Sequence, residues 1–238
     1  MRGYAPTTIV DGDTAAFDTG TLGRDAVALI DALSPDAPAV LIGHDWGASA
    51  AYAAALAAPE RLSHLVTLAV PFGPALGQAL VTNPAQQRRS WYMFFFQMPF
   101  AESALAYNDF QMLEQLWQEW SPDWHYGSED LEALKTCFRQ PGVPAAALAY
   151  YRATFGSQRR RAPRQSQGLQ NRQAGQARIE VPALYLHGAN DGCIGAEVTE
   201  NQHKLFGAGF RSETVQGAGH FLHRERPDEV NRAILRHL

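Results

Sequence analysis

Two cysteines in 238 residues, Cys137 and Cys193, are too few and too far apart for a disulfide framework, a CxxC redox pair or a metal knuckle. They read as free thiols of a reducing compartment. No stretch approaches the ~20 unbroken apolar residues that cross a bilayer. The opening Met1-Arg2-Gly3-Tyr4-Ala5-Pro6 also lacks an apolar leader core, so no membrane partner is expected and the cytoplasm is the expected location. Charge of one sign is missing too: 20 Lys and Arg against 24 Asp and Glu leave a formal −4, which gives nucleic acid no electrostatic footing. What is present is apolar content, 46% of the chain, enough for one buried core with a subdomain inserted.

Leu22, Ala26, Leu29, Ile30 and Leu33 fall on one face at helical spacing over residues 22–34, and Pro35 stops the run. Ala39-Val40-Leu41-Ile42 is a continuous apolar run ending at Gly43, the pattern of a strand buried on both faces of a parallel sheet. An alanine-rich helix is expected from Ala48 to Ala58, and a second buried strand over Leu65–Val70. From Phe72 to about Phe155 the alternation stops, and aromatic and methionine residues crowd Trp91–Phe100 and Leu116–Trp124, which predicts a mostly helical insert. Strands resume over Val181–Leu186 and Phe210–Val215, and Pro227 opens a closing helix with Val230, Ile234, Leu235 and Leu238 inward. The expected division is a core of 1–71 and 179–238, a helical insert of 72–156, and an Arg- and Gln-rich connector of 157–178. A solvated loop is favoured there over a patch for an acidic partner. Strands separated by helices imply an α/β class with a parallel sheet, and ligands then bind beyond the carboxyl ends of the strands.

Three chemically capable residues are expected just after strands. Gly43-His44-Asp45-Trp46-Gly47 joins a buried strand to a small-residue helix, the context of the nucleophile elbow GxSxG, with aspartate where serine would stand. Side chains two before and two after the nucleophile would collide in so sharp a turn, which accounts for both glycines. An aspartate that merely N-caps the helix accounts for neither. Asp45 at a helix N-terminus is favoured as an anion and can attack carbon without a base. Asp191 follows the third strand, and His220, in Gly217-Ala218-Gly219-His220, follows the fourth. The order nucleophile, acid, histidine lets His220 activate water while Asp191 fixes its tautomer. Of the other histidines, His64, His125, His203, His223 and His237 read as surface or packing residues.

GHDWG, the GxxD stretch Gly188-Ala189-Asn190-Asp191, and GAGH together resemble the α/β-hydrolase-fold epoxide hydrolases and their haloalkane dehalogenase relatives. Arg2-Gly3-Tyr4-Ala5-Pro6-Thr7 is similar to their RGYG-type loop. The resemblance implies a covalent ester on Asp45, and a lid in which two tyrosines donate to the epoxide oxygen. Tyr92-Met93-Phe94-Phe95-Phe96-Gln97-Met98-Pro99 looks like the first lid segment, giving Tyr92. Leu148-Ala149-Tyr150-Tyr151-Arg152 looks like the second, giving Tyr151, with Tyr150 its rival one residue away. Trp46 would supply an oxyanion N–H, and Trp46, Met93, Phe94 and Met98 an apolar pocket for a small apolar epoxide. No metal or organic cofactor is implied.

Members of this fold carry strands before the RGY loop and an HG-type oxyanion motif, and neither is found here. A partial α/β-hydrolase fold is therefore expected, N-terminally truncated, with the strand at 39–42 left as an apolar edge through which homo-oligomers could form. Loss of one oxyanion donor would slow the reaction about a hundredfold. Two other readings stand beside the epoxide hydrolase. One is a haloalkane dehalogenase using Asp45, with Trp46 and Trp91 as halide donors, against which the paired tyrosines argue. The other is a non-catalytic fragment or binding module that keeps the pocket.

Overall fold

The computed structural model describes residues 1–7, 14–156 and 177–238. The expected connector lies outside these except for its last two residues. Four parallel strands, β1 (Ala39–His44), β2 (Leu62–Leu68), β3 (Ala183–Gly188) and β4 (Arg211–Val215), form one sheet in sequence order. α1 (Thr19–Leu33) and α2 (Trp46–Ala57) lie on one face. α1 starts at Asp18, whose side chain accepts from the Thr21 N–H, a regular N-cap. The alanines of α2 allow close approach: Ala48, Ala51 and Ala55 are buried with Leu65 and Ala183 in one cluster. A Cβ on Gly23 of α1 would stand 2.7 Å from the Ala53 Cβ, so glycine lets the two helices touch.

Among the described residues between β2 and β3 lie six helices: α3 (Ala75–Thr82), α4 (Pro84–Arg89), α5 (Trp91–Phe95), α6 (Ala101–Trp120), α7 (Ser128–Phe138) and α8 (Val143–Phe155). Their inward residues, among them Tyr92, Phe96, Leu105, Leu148 and Tyr151, form a second cluster with Ala50 and Cys193 over the carboxyl ends of the strands. The helical insert expected from aromatic crowding is thus observed. α9 (Leu222–Glu225) and α10 (Pro227–His237) cover the other sheet face, with Leu222, Val230 and Ala233 packed against Val66, Leu184 and Leu186. Truncating a buried leucine in such a cluster typically costs about 2–5 kcal/mol.

Three expectations of burial need correction. β1 is half-buried on one face and exposed on the other: Ala39 and Leu41 are partly buried, but Val40 and Ile42 are 40% and 51% exposed, because the α9–α10 layer covers β2, β3 and β4 and stops short of the edge strand. In α1, Leu22 and Ile30 are buried but Leu29 and Leu33 are exposed, since α1 meets α2 along the Gly23–Ile30 side. In α10, Val230 and Ala233 are buried and Ile234 packs beside them, whereas Leu235, one residue and about 100° further round the helix than Ile234, is exposed, as is Leu238 beyond the last helical residue, His237.

Candidate active site

Asp45 is the residue between β1 and α2, with φ 52 and ψ −120. Positive φ on a non-glycine residue costs about 1–3 kcal/mol and persists only where the surroundings impose it. Here β1 is hydrogen-bonded to β2 up to the turn, and the Asp45 N–H donates to Leu68 O at 3.3 Å. The Ala48 and Ser49 N–H groups close on Asp45 O to start the helix. The Asp45 side chain makes no capping hydrogen bond, which removes the N-cap explanation for this aspartate. A Cβ on Gly43 would overlap the Gly47 carbonyl, so the first glycine is sterically required. The second is not: a Cβ on Gly47 meets only Met1 Sδ, at 4.0 Å, which corrects the expectation that both glycines are forced.

The turn brings Asp45 to His220, whose Nε2 lies 3.4 Å from Asp45 Oδ1. On the other side of the ring, His220 Nδ1–H donates to Asp191 Oδ2 at 2.9 Å. Asp191 Oδ1 accepts from the Cys193 and Ile194 N–H groups at 2.7 and 2.9 Å, so the turn after β3 orients the carboxylate. The two loops meet at Gly188, where an added Cβ would overlap the Gly219 carbonyl. The insert braces both loops: Trp120 O accepts from the Gly192 and His220 N–H groups, each at 3.0 Å. Ser121 Oγ accepts from Phe221 N–H, and Glu225 accepts from both Ser121 Oγ–H and Gly219 N–H. The separation of acid from imidazole is therefore set partly by the insert.

Electrostatics follow from this arrangement. Burial opposes ionisation of Asp45, but His220, His44 and the Trp46 backbone N–H outweigh it and hold the carboxyl below its ordinary pKa. Burial also opposes charge on His220, yet Cys193, Asp191 and Asp45 around it raise its pKa well above the ordinary value. His44 is pushed down to about 3 by burial and by its proximity to His220, so it is neutral. Its Nε2–H donates to the His220 carbonyl at 2.9 Å, tying elbow to histidine loop.

Tyr92 and Tyr151 are buried, with ring centroids 5.6 Å apart, and Trp46 packs edge-on to Tyr151 at 5.2 Å. Burial first, and Asp45 among the nearby groups, keep both phenols protonated as donors. Tyr150 is buried too, but its hydroxyl donates to Arg2 O at 2.7 Å. Met93 is buried. Phe94 and Met98 depart from the expected buried pocket wall: they are 49% and 41% exposed and outside the cluster around Tyr92 and Tyr151, Phe94 because the short α5 buries its Tyr92–Met93 side, and Met98 because it lies past the end of α5 in the turn before α6. Trp91 donates its indole N–H to Glu119 at 2.9 Å and so has none free for a halide.

Sequence reasoning did not single out Cys193, Trp120 or Tyr4 for this site. Cys193 Sγ lies 3.1 Å from the Tyr92 hydroxyl, and Tyr4 is close enough to Asp45 for that charge to help burial raise its pKa. Only the position of Cys193, two residues past Asp191, was a usable signal. Among the described residues, Asp191, Cys193 and His220 form the one cluster of three such side chains that could hold a metal ion.

A parallel sheet with an aspartate at the strand-to-helix turn, a histidine after the last strand and a helical insert between β2 and β3 defines an α/β hydrolase. Residues 2–233 match the model of the Alpha/beta hydrolase family, and the chain belongs to that family. It is 31% identical over 201 residues to Epoxide hydrolase 4 from Homo sapiens, covering 82% of this chain and 52% of that one, so it spans about half the length of that curated relative. It is 29% identical to the AB hydrolase superfamily protein YfhM of Bacillus subtilis, over 100% of this chain and 78% of that one. Its fold superimposes with a TM-score of 0.82 on the crystal structure of Bacillus megaterium epoxide hydrolase in complex with an inhibitor, at 22% identity over 99% of this chain and 81% of that one. No helix among the described residues is long and apolar enough to cross a membrane.

Proposed function

We propose that this chain opens a small apolar epoxide to a vicinal diol through a covalent ester on Asp45. The supporting observation is the line of groups from Asp191 through His220 to Asp45, closed above by two buried phenols. Asp45 attacks an epoxide carbon, and the C–O bond breaks as Tyr92 and Tyr151 donate to the departing oxygen in a site where water is scarce. Tyr151 rather than Tyr150 takes this role, since the Tyr150 hydroxyl is committed to Arg2 O. Ester formation removes the charge on Asp45, one of the anions that hold His220 protonated, and the imidazolium proton passes to the phenol that has given its own proton to the opened oxygen, leaving an alcohol, a neutral tyrosine and a neutral imidazole. The neutral imidazole then takes a proton from water, which attacks the ester carbonyl, with the Trp46 N–H on the developing oxyanion. Asp45 is regenerated and the diol leaves. Helices α3 to α8 act as the lid that shapes the pocket, with residues 1–71 and 179–238 as the core beneath it and 157–178 as the connector.

Oxygen-18 water tests the scheme. In a single turnover the label should enter the Asp45 carboxylate and the first diol should be unlabelled. Label in that first diol instead means direct attack of water on the epoxide and ends the ester mechanism. Asp45→Asn should form no ester. The dehalogenase reading retains one supporting observation, a buried Trp120 indole N–H without a hydrogen-bond partner. Halide release from a haloalkane, with no diol from any epoxide, would favour it.

A further inference from the structure

Cys193 has no part in the reaction proposed above, yet it is buried inside the site with its Sγ 3.1 Å from the Tyr92 hydroxyl. The contact is held from both ends. Gln86, itself buried in α4, donates to Cys193 O at 2.9 Å and to Ser90 Oγ at 2.8 Å, and accepts from the Gly195 N–H at 2.9 Å. The turn that carries Cys193 is thereby tied to the stretch that leads into α5, where Tyr92 sits.

The hydrogens decide what this contact does. A phenol carries one O–H, and if that hydrogen goes to sulfur none is left for a substrate oxygen. A thiol is a weak acceptor but carries a hydrogen of its own. Burial pushes the Cys193 thiol up, so the S–H stays in place; a thiolate would instead draw the phenol hydrogen to itself. The neighbouring ionisable side chains offer the S–H no better acceptor: protonated His220 turns Nδ1–H to Asp191 and Nε2–H to Asp45, and Asp191 already takes three donors.

We propose that Cys193 is a positioning residue for the opening of the epoxide, acting through Tyr92: its S–H donates to the phenol oxygen, which aims the phenol hydrogen at the substrate and steadies the phenolate left when that hydrogen departs. This rests on the ester scheme above and assigns one more residue to its first step. A hydrogen bond to the charged form of a group favours that form, and in a buried site each bond in a chain polarises the next. The S–H bond does not break; the phenolate regains its proton from His220, as in that scheme. Asp191 is untouched by this role, because it is held by the backbone N–H of Cys193, which any side chain at this position keeps.

The test is a stopped-flow double-variant cycle on the full chain. Cys193→Ala should slow ester formation about fivefold, the worth of one neutral hydrogen bond, and leave ester hydrolysis within about twofold. Cys193→Ser, which restores a donor, should recover most of the loss. In a Tyr92→Phe chain the same Cys193→Ala change should cause no further loss, since the acceptor is gone. An equal loss with and without the Tyr92 hydroxyl, or no loss in either, overturns the proposal. Infrared spectroscopy of the S–H stretch reads the bond without substrate and with Cys193 intact. In Cys137→Ser, which leaves one thiol, the band should stand at the lower frequency of a bonded S–H and move up when Tyr92→Phe is added. A band that does not move overturns the proposal, even should Cys193→Ala fail to fold. A chain that forms no ester or diol from any epoxide defeats the ester scheme instead, and the infrared shift then decides the thiol-to-phenol bond by itself.

Discussion

Replacing Asp191 by asparagine tests how the histidine is held. Oδ1 of the present carboxylate accepts from two backbone N–H groups, and Oδ2 accepts from His220 Nδ1–H. An asparagine has one carbonyl oxygen to offer, and two backbone donors outcompete one ring nitrogen for it. Each bond of that kind is worth about 1 kcal/mol, and a buried amide left unsatisfied costs about 1–3 kcal/mol. The side chain should therefore keep its oxygen on Cys193 and Ile194 and turn its NH2 toward His220. The ring must then accept at Nδ1 and carry its proton on Nε2, the tautomer that cannot take a proton from water. A wrong tautomer of this kind costs about ten-thousandfold in turnover. Attack by Asp45 does not need the base, so the ester should still form and should accumulate. Intact-mass spectrometry after mixing with excess epoxide should show one substrate equivalent on the chain, together with a burst and a slow steady state. Nitrogen-15 spectra of the histidines should show Nδ1 deprotonated with the proton kept on Nε2, and circular dichroism should show the fold kept. Turnover within tenfold of wild type, or an adduct that never accumulates, would refute the assigned roles of Asp191 and His220.

Tyr92→Phe and Tyr151→Phe should each slow ester formation about ten- to a hundredfold by stopped-flow, and the double variant further, whereas Tyr150→Phe should change it less than threefold, its hydroxyl being bound to Arg2 O. Because His220 is raised by the anions around it, Asp45→Asn should lower its pKa, read from the ring-proton shift against pH. The stabilisation from that raised pKa is complete below the ordinary histidine value and fades as pH rises through the folded one, so the wild-type advantage in Tm over Asp45→Asn should shrink toward alkaline pH. Gly43→Ala should cost about 3 kcal/mol or more, from the overlap with the Gly47 carbonyl, and Gly47→Ala less than about 1 kcal/mol, both measured by denaturant unfolding. Val40→Lys with Ile42→Lys should abolish any self-association seen by analytical ultracentrifugation; oligomers that persist would exclude the β1 edge as the contact.

Sequence alone determined the alternation of strands and helices, because buried parallel strands and an alanine-rich helix leave local signatures that neighbours seldom override. It also determined the elbow and the order of Asp45, Asp191 and His220, because glycine-flanked turns after strands are local features whose chemistry is written in adjacent residues. Tertiary structure decided what depends on residues distant in the chain. The second tyrosine is one such case: Tyr150 and Tyr151 are neighbours of equal chemistry, and only the Arg2 carbonyl, 148 positions away, engages one of them. Burial of Leu29, Leu33, Val40 and Ile42 is another, since a hydrophobic period marks a face but not whether a partner covers it. Cys193 gave no metal or catalytic spacing along the chain. It came to lie beside His220 and Asp191 because β3 and β4 are adjacent and parallel, which sets the loops that follow them side by side.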